Sequence, residues 1–165
     1  MARRHESLIP LSHQHQHALT LAVIIRRRFA TTPDLAQWQN QMIDKVVKAY
    51  DAELRGHFEV EEEILFPEME RHLGRLDLVA DLLSEHIALR EYAKRLEACP
   101  RVQGALEVAS PRPMLLDEFA TLIEQHVHKE ERELFAEFEK KMPAEEARKL
   151  GGEIAARLAK TCPLL

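Results

Sequence analysis

Apolar residues recur every three to four positions along most of the chain, a spacing that places them on one face of an α-helix. No segment alternates strictly between apolar and polar residues, so no strand is predicted. Four long helices with mostly short joints predict an all-α, antiparallel up-and-down four-helix bundle, with a short fifth helix at the C-terminus. The predicted helices cover residues 13–30, 33–73, 76–98, 113–141 and 143–160.

Capping and breaking residues set the predicted helix ends. Ser12 is a suitable N-cap for the first helix, and Thr32-Pro33-Asp34 supplies an N-cap, an N1 proline and an acidic first turn for the second. That second helix is expected to bend at Pro67 and to stop at Gly74. Residues 99–113 hold three prolines and a glycine and predict the one extended connection. The fifth helix is expected to fray around its Gly-Gly pair, residues 151–152.

One charged phrase appears twice, as HFEVEEEILFPE from residue 57 and as HVHKEERELFAE from residue 126. In each phrase a histidine is followed four residues later by a glutamate, His57 by Glu61 and His126 by Glu130. At 100° per residue, both pairs fall within the apolar stripe of their helix. The phrase therefore predicts polar side chains that point into the core at matching places on two helices.

The other two long helices each place a histidine in the apolar stripe. His15 lies in the stripe of the first helix and His86 in that of the third. His13 and His17 lie about 160° away from His15 on the helical wheel and are expected on the surface. Each of the four helices thus supplies one inward histidine.

Two buried carboxylates repel each other unless a cation lies between them. A pair of divalent metal ions resolves this conflict, with the glutamates as bridges and the histidines as terminal ligands. Imidazole and carboxylate without thiolate suit iron, manganese or zinc. The competing interpretation is that a lone inward histidine is a core residue and that glutamate-rich helix faces are solvated. The predicted ligands are His15, His57, Glu61, His86, His126 and Glu130.

Composition and charge limit the number of domains, the partners and the cellular setting that this chain is expected to have. The 165 residues fit a single domain, 1–165, and a net charge of −5 with one short basic run, 26–28, argues against a nucleic-acid partner. The best apolar run, 18–25, is too short to span a bilayer, so no membrane association is expected. Cys99 and Cys162 stand alone, which favours a reducing, cytoplasmic setting.

The stretches LSHQHQHAL, HFEVEEEILFP, LLSEHIALR and HVHKEERELF resemble the hemerythrin-like, HHE cation-binding domain family in order and spacing. The resemblance implies a non-haem di-iron centre in a four-helix bundle, bridged by two carboxylates. It implies two iron ions as cofactor, and the donor chemistry described above also accepts zinc or manganese in their place. It also implies a small ligand, namely oxygen, nitric oxide or peroxide.

Two positions depart from the oxygen-carrying members of that family. They have a second third-helix histidine where this chain has Arg90, and their fourth-helix carboxylate corresponds to Glu131, whereas Glu130 mirrors Glu61 here. Arg90 stays protonated and cannot be a ligand. Its charge could lie beside the site and stabilise a bound anion, or extend to solvent with the stem lying on the bundle, and we favour the second. Reversible oxygen carriage is disfavoured.

Three functions are compatible with this pattern. A module that binds or senses oxygen or nitric oxide is favoured, because no nucleotide-binding or nucleophile motif accompanies the histidines. The alternative is a di-iron oxidase, peroxidase or nitric oxide handling enzyme, with Tyr50 as a redox neighbour. A third is iron storage or repair of iron centres, or a structural zinc site. Ile24, apolar and opposite His15, indicates contact with the fifth helix or a homodimer.

Overall fold

The computed structural model describes residues 4–29, 36–101 and 111–161, and all regular structure within these ranges is helical. The predicted all-α class is confirmed. The α-helices in chain order are α1 (Ile9–Phe29), α2 (Ala36–Ala49), α3 (Arg55–Val60), α4 (Phe66–Leu73), α5 (Asp77–Glu97), α6 (Arg112–Lys129), α7 (Phe135–Lys141) and α8 (Ala144–Thr161). A 3₁₀ turn, Glu6–Leu8, precedes α1, and π turns occupy Tyr50–Leu54, Glu61–Leu65 and Glu130–Leu134.

The π turns join shorter α-helices into two long helical segments. One runs from α2 to α4 over residues 36–73, and the other joins α6 to α7 over residues 112–141. These segments match the predicted second and fourth helices, and α5 and α8 match the third and fifth. The sequence pattern does not predict the π turns. A single turn holds too few apolar residues to distinguish the residue spacing of a π-helix from that of an α-helix.

The start of α1 differs from the prediction. Ser12 is not an N-cap, because the helix already begins at Ile9. A 3₁₀ turn precedes it, and His5 caps that turn by accepting a hydrogen bond at Nδ1 from Ser7 N at 3.3 Å. The Ser12 hydroxyl instead donates to Glu131 Oε1 at 2.7 Å. The predicted N-cap of the second helix, at residues 32–34, lies outside the described residues.

The end of the second helix agrees with the prediction. Gly74 follows α4 with a φ of 82°, the left-handed region that favours glycine over residues with a Cβ. Pro67 is the second residue of α4 and lies one residue beyond the π turn Glu61–Leu65, inside the long helical segment. The bend expected there stays a prediction. Most of the predicted extended connection, residues 102–110, lies outside the described residues.

The predicted fraying of the fifth helix is wrong, because α8 continues through Gly151 and Gly152. A Cβ built at Gly151 would lie 2.4 Å from Ser7 Oγ and 2.8 Å from Ser7 Cα. Glycine at this position therefore lets α8 approach the 3₁₀ turn closely. The Ser7 hydroxyl is buried there and donates to the carbonyl oxygen of Ala147 at 2.6 Å.

The buried apolar residues form two clusters. On α1, Leu11 belongs to one cluster and Ala18 to the other, and His15 lies between them. On α5, Leu82 and Leu89 flank His86 in the same way. The predicted inward residues therefore form a polar layer between two apolar layers. Among the described residues, no helix is long and apolar enough to cross a membrane.

Candidate metal centre

The structure gathers the six predicted inward residues into one buried layer. Each side chain is at most 2% exposed. Four helical segments supply them: His15 from α1, His57 and Glu61 from the 36–73 segment, His86 from α5, and His126 and Glu130 from the 112–141 segment. Both glutamates are the first residue of a π turn. By contrast, the side chains of residues 13 and 17 are exposed, in agreement with the predicted helix phase.

The first group of facing atoms, which we call the His15–His57 position, brings two imidazoles and two carboxylates together. His15 Nε2 lies 3.0 Å from His57 Nε2 and 3.1 Å from Glu130 Oε2. His57 Nε2 lies 3.2 Å from Glu61 Oε1. One ligand atom from each of the four residues lies within 4.8 Å of the others, a spacing that suits a shared metal ion.

The second group, the His86–His126 position, repeats this arrangement with the same two carboxylates. His86 Nε2 lies 3.1 Å from His126 Nε2 and 3.4 Å from Glu61 Oε2. His126 Nε2 lies 3.3 Å from Glu130 Oε2. Glu61 therefore presents one oxygen to each position, and Glu130 contributes to both groups. This is the arrangement expected of two bridging carboxylates.

The four glutamate oxygens in this layer are fully buried. None of them has a hydrogen bond of good geometry to another described residue, although histidine Nε2 atoms lie 3.1 to 3.4 Å from three of the four. A buried carboxylate without such bonds costs several kcal/mol unless a cation neutralises it. The donor set therefore fits a metal pair, because four imidazole nitrogens and four otherwise unsatisfied carboxylate oxygens converge on one layer.

Each histidine is oriented by an acceptor behind it. The Nδ1 atoms of His15, His86 and His126 lie 2.7, 2.7 and 2.8 Å from carboxylate oxygens, and that of His57 lies 2.8 Å from the amide oxygen of Gln14. An ionised carboxylate only accepts hydrogen bonds, so Nδ1 carries a proton and Nε2 faces the centre, where it can bind a metal ion once it is deprotonated. The carboxylate partners are Glu131 for His15, Glu62 for His86 and Glu85 for His126.

These outer partners form a ring of hydrogen bonds between helices. Each partner is the sequence neighbour of a centre residue, yet it supports the histidine of a different helix. Gln14 beside His15 supports His57, and Glu85 beside His86 supports His126. Glu62 and Glu131, next to Glu61 and Glu130, do the same for the histidines of α5 and α1. All four partners lie outside the apolar stripes, so periodicity alone does not predict them, but each is adjacent in sequence to a glutamate or histidine of a stripe.

Cations hold the three outer carboxylates in place. Arg4 bonds to Glu131, and Lys129 bonds to Glu85. Burial would raise the pKa of Glu131, but its bonds to His15 and Ser12 and the charge of Arg4 lower it to about 2. The pKa of Glu85 is also lowered, because its hydrogen bonds to His126 and Lys129 outweigh the effect of burial. These carboxylates therefore stay ionised near neutral pH.

The expectation that Arg90 extends its charge to solvent is wrong. Its Nη1 and Nη2 donate to the two oxygens of Glu62 at 2.8 and 3.0 Å, and its guanidinium lies 5.6 Å from the ring centre of Phe58. Burial would raise the pKa of Glu62, but the bonds to His86 and Arg90 lower it to about 2. Arg90 thus acts on the centre through the carboxylate that orients His86.

Without a metal ion, protons balance the charge of the centre. Burial would lower the pKa of His15, but the carboxylates of Glu130 and Glu131 raise it to about 10. Burial likewise opposes protonation of His86, but Glu61 and Glu62 raise its pKa to about 9. The pKa of Glu61 is lowered well below its ordinary range, because His57 and His86 outweigh the effect of burial. The centre therefore favours positive charge between its carboxylates.

A helical fold with a buried double cluster of histidine and glutamate defines a candidate metal-binding protein. The sequence model of one family, described as Hemerythrin HHE cation binding domain, matches residues 10–138. The matched region contains all six centre residues and most of the chain, so the protein belongs to this family. Neither the curated proteins nor the solved structures contain a match to the chain.

Proposed function

We propose that this chain is a single-domain hemerythrin-like protein that holds two iron ions in an antiparallel up-and-down four-helix bundle. One ion would bind at the His15–His57 position and the other at the His86–His126 position. Glu61 and Glu130 would bridge them. The observation that carries this proposal is the set of four buried glutamate oxygens, which have no hydrogen bond and face four Nε2 atoms.

The donor chemistry supports iron. Imidazole with carboxylate suits iron, manganese and zinc, and the cluster contains no thiolate. When bound, a redox-active metal pair supplies the electrons and the coordination positions for a small diatomic ligand. The chain's residues hold and orient the ions, keep them in a buried layer, and carry the protons that metal binding displaces.

We propose that the centre binds or senses oxygen or nitric oxide. A small, mostly apolar pocket of about 40 Å³ supports a ligand of this class. Its walls include Ala18 and Leu54, one helical turn from His15 and His57 on the same helices, and Ile123, one turn from His126. The exposed edge carries His17, whose Nδ1 lies 2.9 Å from Glu53 Oε2. Such a pocket is large enough for a few atoms and favours apolar ones.

Metal analysis and ligand titration test this function. After anaerobic reconstitution with ferrous ions, we expect two iron ions per chain, and we expect nitric oxide to change the visible absorption in proportion to the iron bound. Protein loaded with zinc is the matched control and is expected to show no such change. A chain that binds neither iron nor another divalent metal would contradict the proposal, and an iron-loaded chain with no response to nitric oxide or oxygen would contradict its second part.

A further inference from the structure

The four outer partners differ in chemistry but not in distance. His15, His86 and His126 donate to carboxylates, whereas His57 donates to the neutral amide of Gln14, all at 2.7 to 2.8 Å. Gln14 is 1% exposed, so water does not substitute for a missing charge there. The histidine supported by an amide therefore differs from the other three in the strength of its partner and not in its geometry.

The carboxylates are also held more firmly than the amide. Glu131 receives bonds from Arg4 and Ser12, Glu62 from Arg90, and Glu85 from Lys129. The Gln14 Nε2 group is buried and has no hydrogen-bond partner among the described residues. A hydrogen bond to an ionised, anchored acceptor is about twice as strong as one between neutral groups. His57 therefore receives the weakest support of the four histidines.

The difference between carboxylate and amide partners distinguishes the two metal positions. Both histidines of the His86–His126 position have carboxylate partners, whereas only one histidine of the His15–His57 position does. Glu61 and Glu130 contribute to both positions and do not distinguish them. Formal charge distinguishes the outer shells less, because each outer carboxylate contacts a cation and Gln14 is neutral, although Arg4 also pairs with Glu139. The two positions therefore differ mainly in the strength of the hydrogen bonds that the histidine Nδ1 atoms donate.

We propose that the chain has one tight and one exchangeable metal position, and that Gln14 makes the His15–His57 position the exchangeable one. A partner carboxylate raises the basicity of a ligating imidazole, and loss of such a partner typically costs about 10- to 100-fold in metal affinity. The dissociation constants of the two positions should therefore differ by about 10-fold or more. This inference rests on the proposed metal centre, and it makes the form with a single metal ion, at His86 and His126, a stable state of the protein.

Stepwise titration of the metal-free chain with Co(II) alone tests the inference. Co(II) absorbs in the visible when bound, so each step can be followed directly. We expect two resolved steps for the natural chain, with the first ion at the His86–His126 position. Crystals grown with one equivalent of Co(II) locate that ion by anomalous scattering. Two equal steps, or a first ion at the His15–His57 position, would overturn the inference.

Two opposite substitutions identify the cause. Gln14→Glu gives His57 a carboxylate partner and is expected to merge the steps by tightening the second. Glu85→Gln gives His126 an amide partner and is expected to merge them by weakening the first. Far-ultraviolet circular dichroism checks the fold of both, and Glu85, at a partly exposed site, decides the question if the buried Gln14 variant does not fold.

The outcomes separate this inference from the function on which it rests. Merged steps in the expected directions support the role of Gln14, and unchanged steps in a folded variant overturn it. Complete absence of Co(II) binding by the natural chain would overturn the metal centre itself, which is a different result from two equal sites.

Discussion

Arg90 and Glu62 form a two-bonded ion pair directly behind His86. The guanidinium donates to both carboxylate oxygens at 2.8 and 3.0 Å, and the oxygen bonded to Nη1 also accepts from His86 Nδ1 at 2.7 Å. Arg90 stands where the oxygen carriers of the resembled family have a histidine, and here this position supports a candidate ligand, His86, through Glu62. The departure from the family pattern therefore has a structural role in this chain.

Replacement of Arg90 by Met should loosen metal binding without removing a ligand. The uncharged side chain preserves contact with Phe58 but leaves Glu62 without its cation, so His86 is held less firmly. We expect the affinity of the His86–His126 position to fall by about 10-fold. Competition with a chromogenic chelator measures it. Arg55→Met is the matched control, because within the described part of the chain Arg55 bonds to carboxylate and carbonyl oxygens of Asp51, on its own helical segment. Equal losses in both variants would contradict the role of Arg90.

The oxygen response of the reduced protein should also reflect Arg90. The His86–His126 position offers two histidines and two glutamates, and it lacks the second third-helix histidine that the family resemblance gives to oxygen carriers. We expect exposure to oxygen to oxidise the reduced iron centre instead of forming an adduct that reverses under vacuum. Repeated cycles of oxygen and vacuum, followed by visible absorption, measure this. A spectrum that reverses over many cycles would contradict the prediction.

The two bridging glutamates should be far more important for metal retention than the exposed histidines of α1. Glu61→Ala and Glu130→Ala each remove a ligand from both positions, so we expect most of the bound metal to be lost. His13→Ala and His17→Ala are the controls and should retain it, since their side chains lie on the outside of α1. Metal analysis of the four variants, purified side by side, is the measurement. Loss of metal from His17→Ala equal to that from Glu61→Ala would contradict the assignment.

Sequence periodicity was sufficient for the helices and for the inward residues. His15, the middle histidine of SHQHQH, is buried whereas its neighbours at 13 and 17 are exposed, as a phase of 100° per residue requires. The same phase placed His57 and Glu61 in the core together. An apolar stripe extends over several helical turns, so it predicts well which side chains of a helix are buried.

Sequence periodicity does not predict contacts between segments that are far apart in the chain. Ser12 resembles an N-cap by composition, but its hydroxyl bonds to Glu131, which is 119 residues away in sequence. The Gly-Gly pair resembles a frayed turn, but Gly151 is needed for contact with Ser7. Arg90 resembles a solvated cation until Glu62 is placed opposite it. In each case the local pattern is the same with or without the distant partner.

Metal binding at neutral pH should release protons. The pKa of His15 is raised to about 10 and that of His86 to about 9, so both imidazoles are protonated in the metal-free protein at pH 7. A ligand imidazole must be neutral, so we expect loading of both positions to release about two protons at pH 7. Calorimetry in two buffers of different ionisation enthalpy measures the release. It should be smaller at pH 9.5, and equal release at the two pH values would contradict the prediction.

The metal-free protein should be most stable between pH 4.5 and 6.5. The pKa of Glu131 is lowered to about 2 from 4.5, so its contribution is complete above 4.5 and is lost as the pH falls towards 2. The pKa of His15 is raised to about 10 from 6.5, so its contribution is complete below 6.5 and is lost as the pH rises through 10. The measurement is urea unfolding of chelator-treated protein at pH values within this window and on both sides of it. In Glu131→Gln the free energy of unfolding should fall less steeply as the pH is lowered below 4.5. An unchanged pH dependence would contradict the prediction.

The adjacent glycines of α8 should respond oppositely to alanine. Gly151→Ala places a Cβ 2.8 Å from the backbone Cα of Ser7, so α8 or the 3₁₀ turn must shift, and we expect a loss of about 1–3 kcal/mol in the free energy of unfolding. Gly152→Ala meets no atom within 4 Å and removes a flexible residue from a helix interior, so we expect a gain of about 0.5–1 kcal/mol. Urea denaturation of both variants measures the difference. If the two substitutions had equal effects, the close packing of α8 against Ser7 would be excluded as the reason for glycine at position 151.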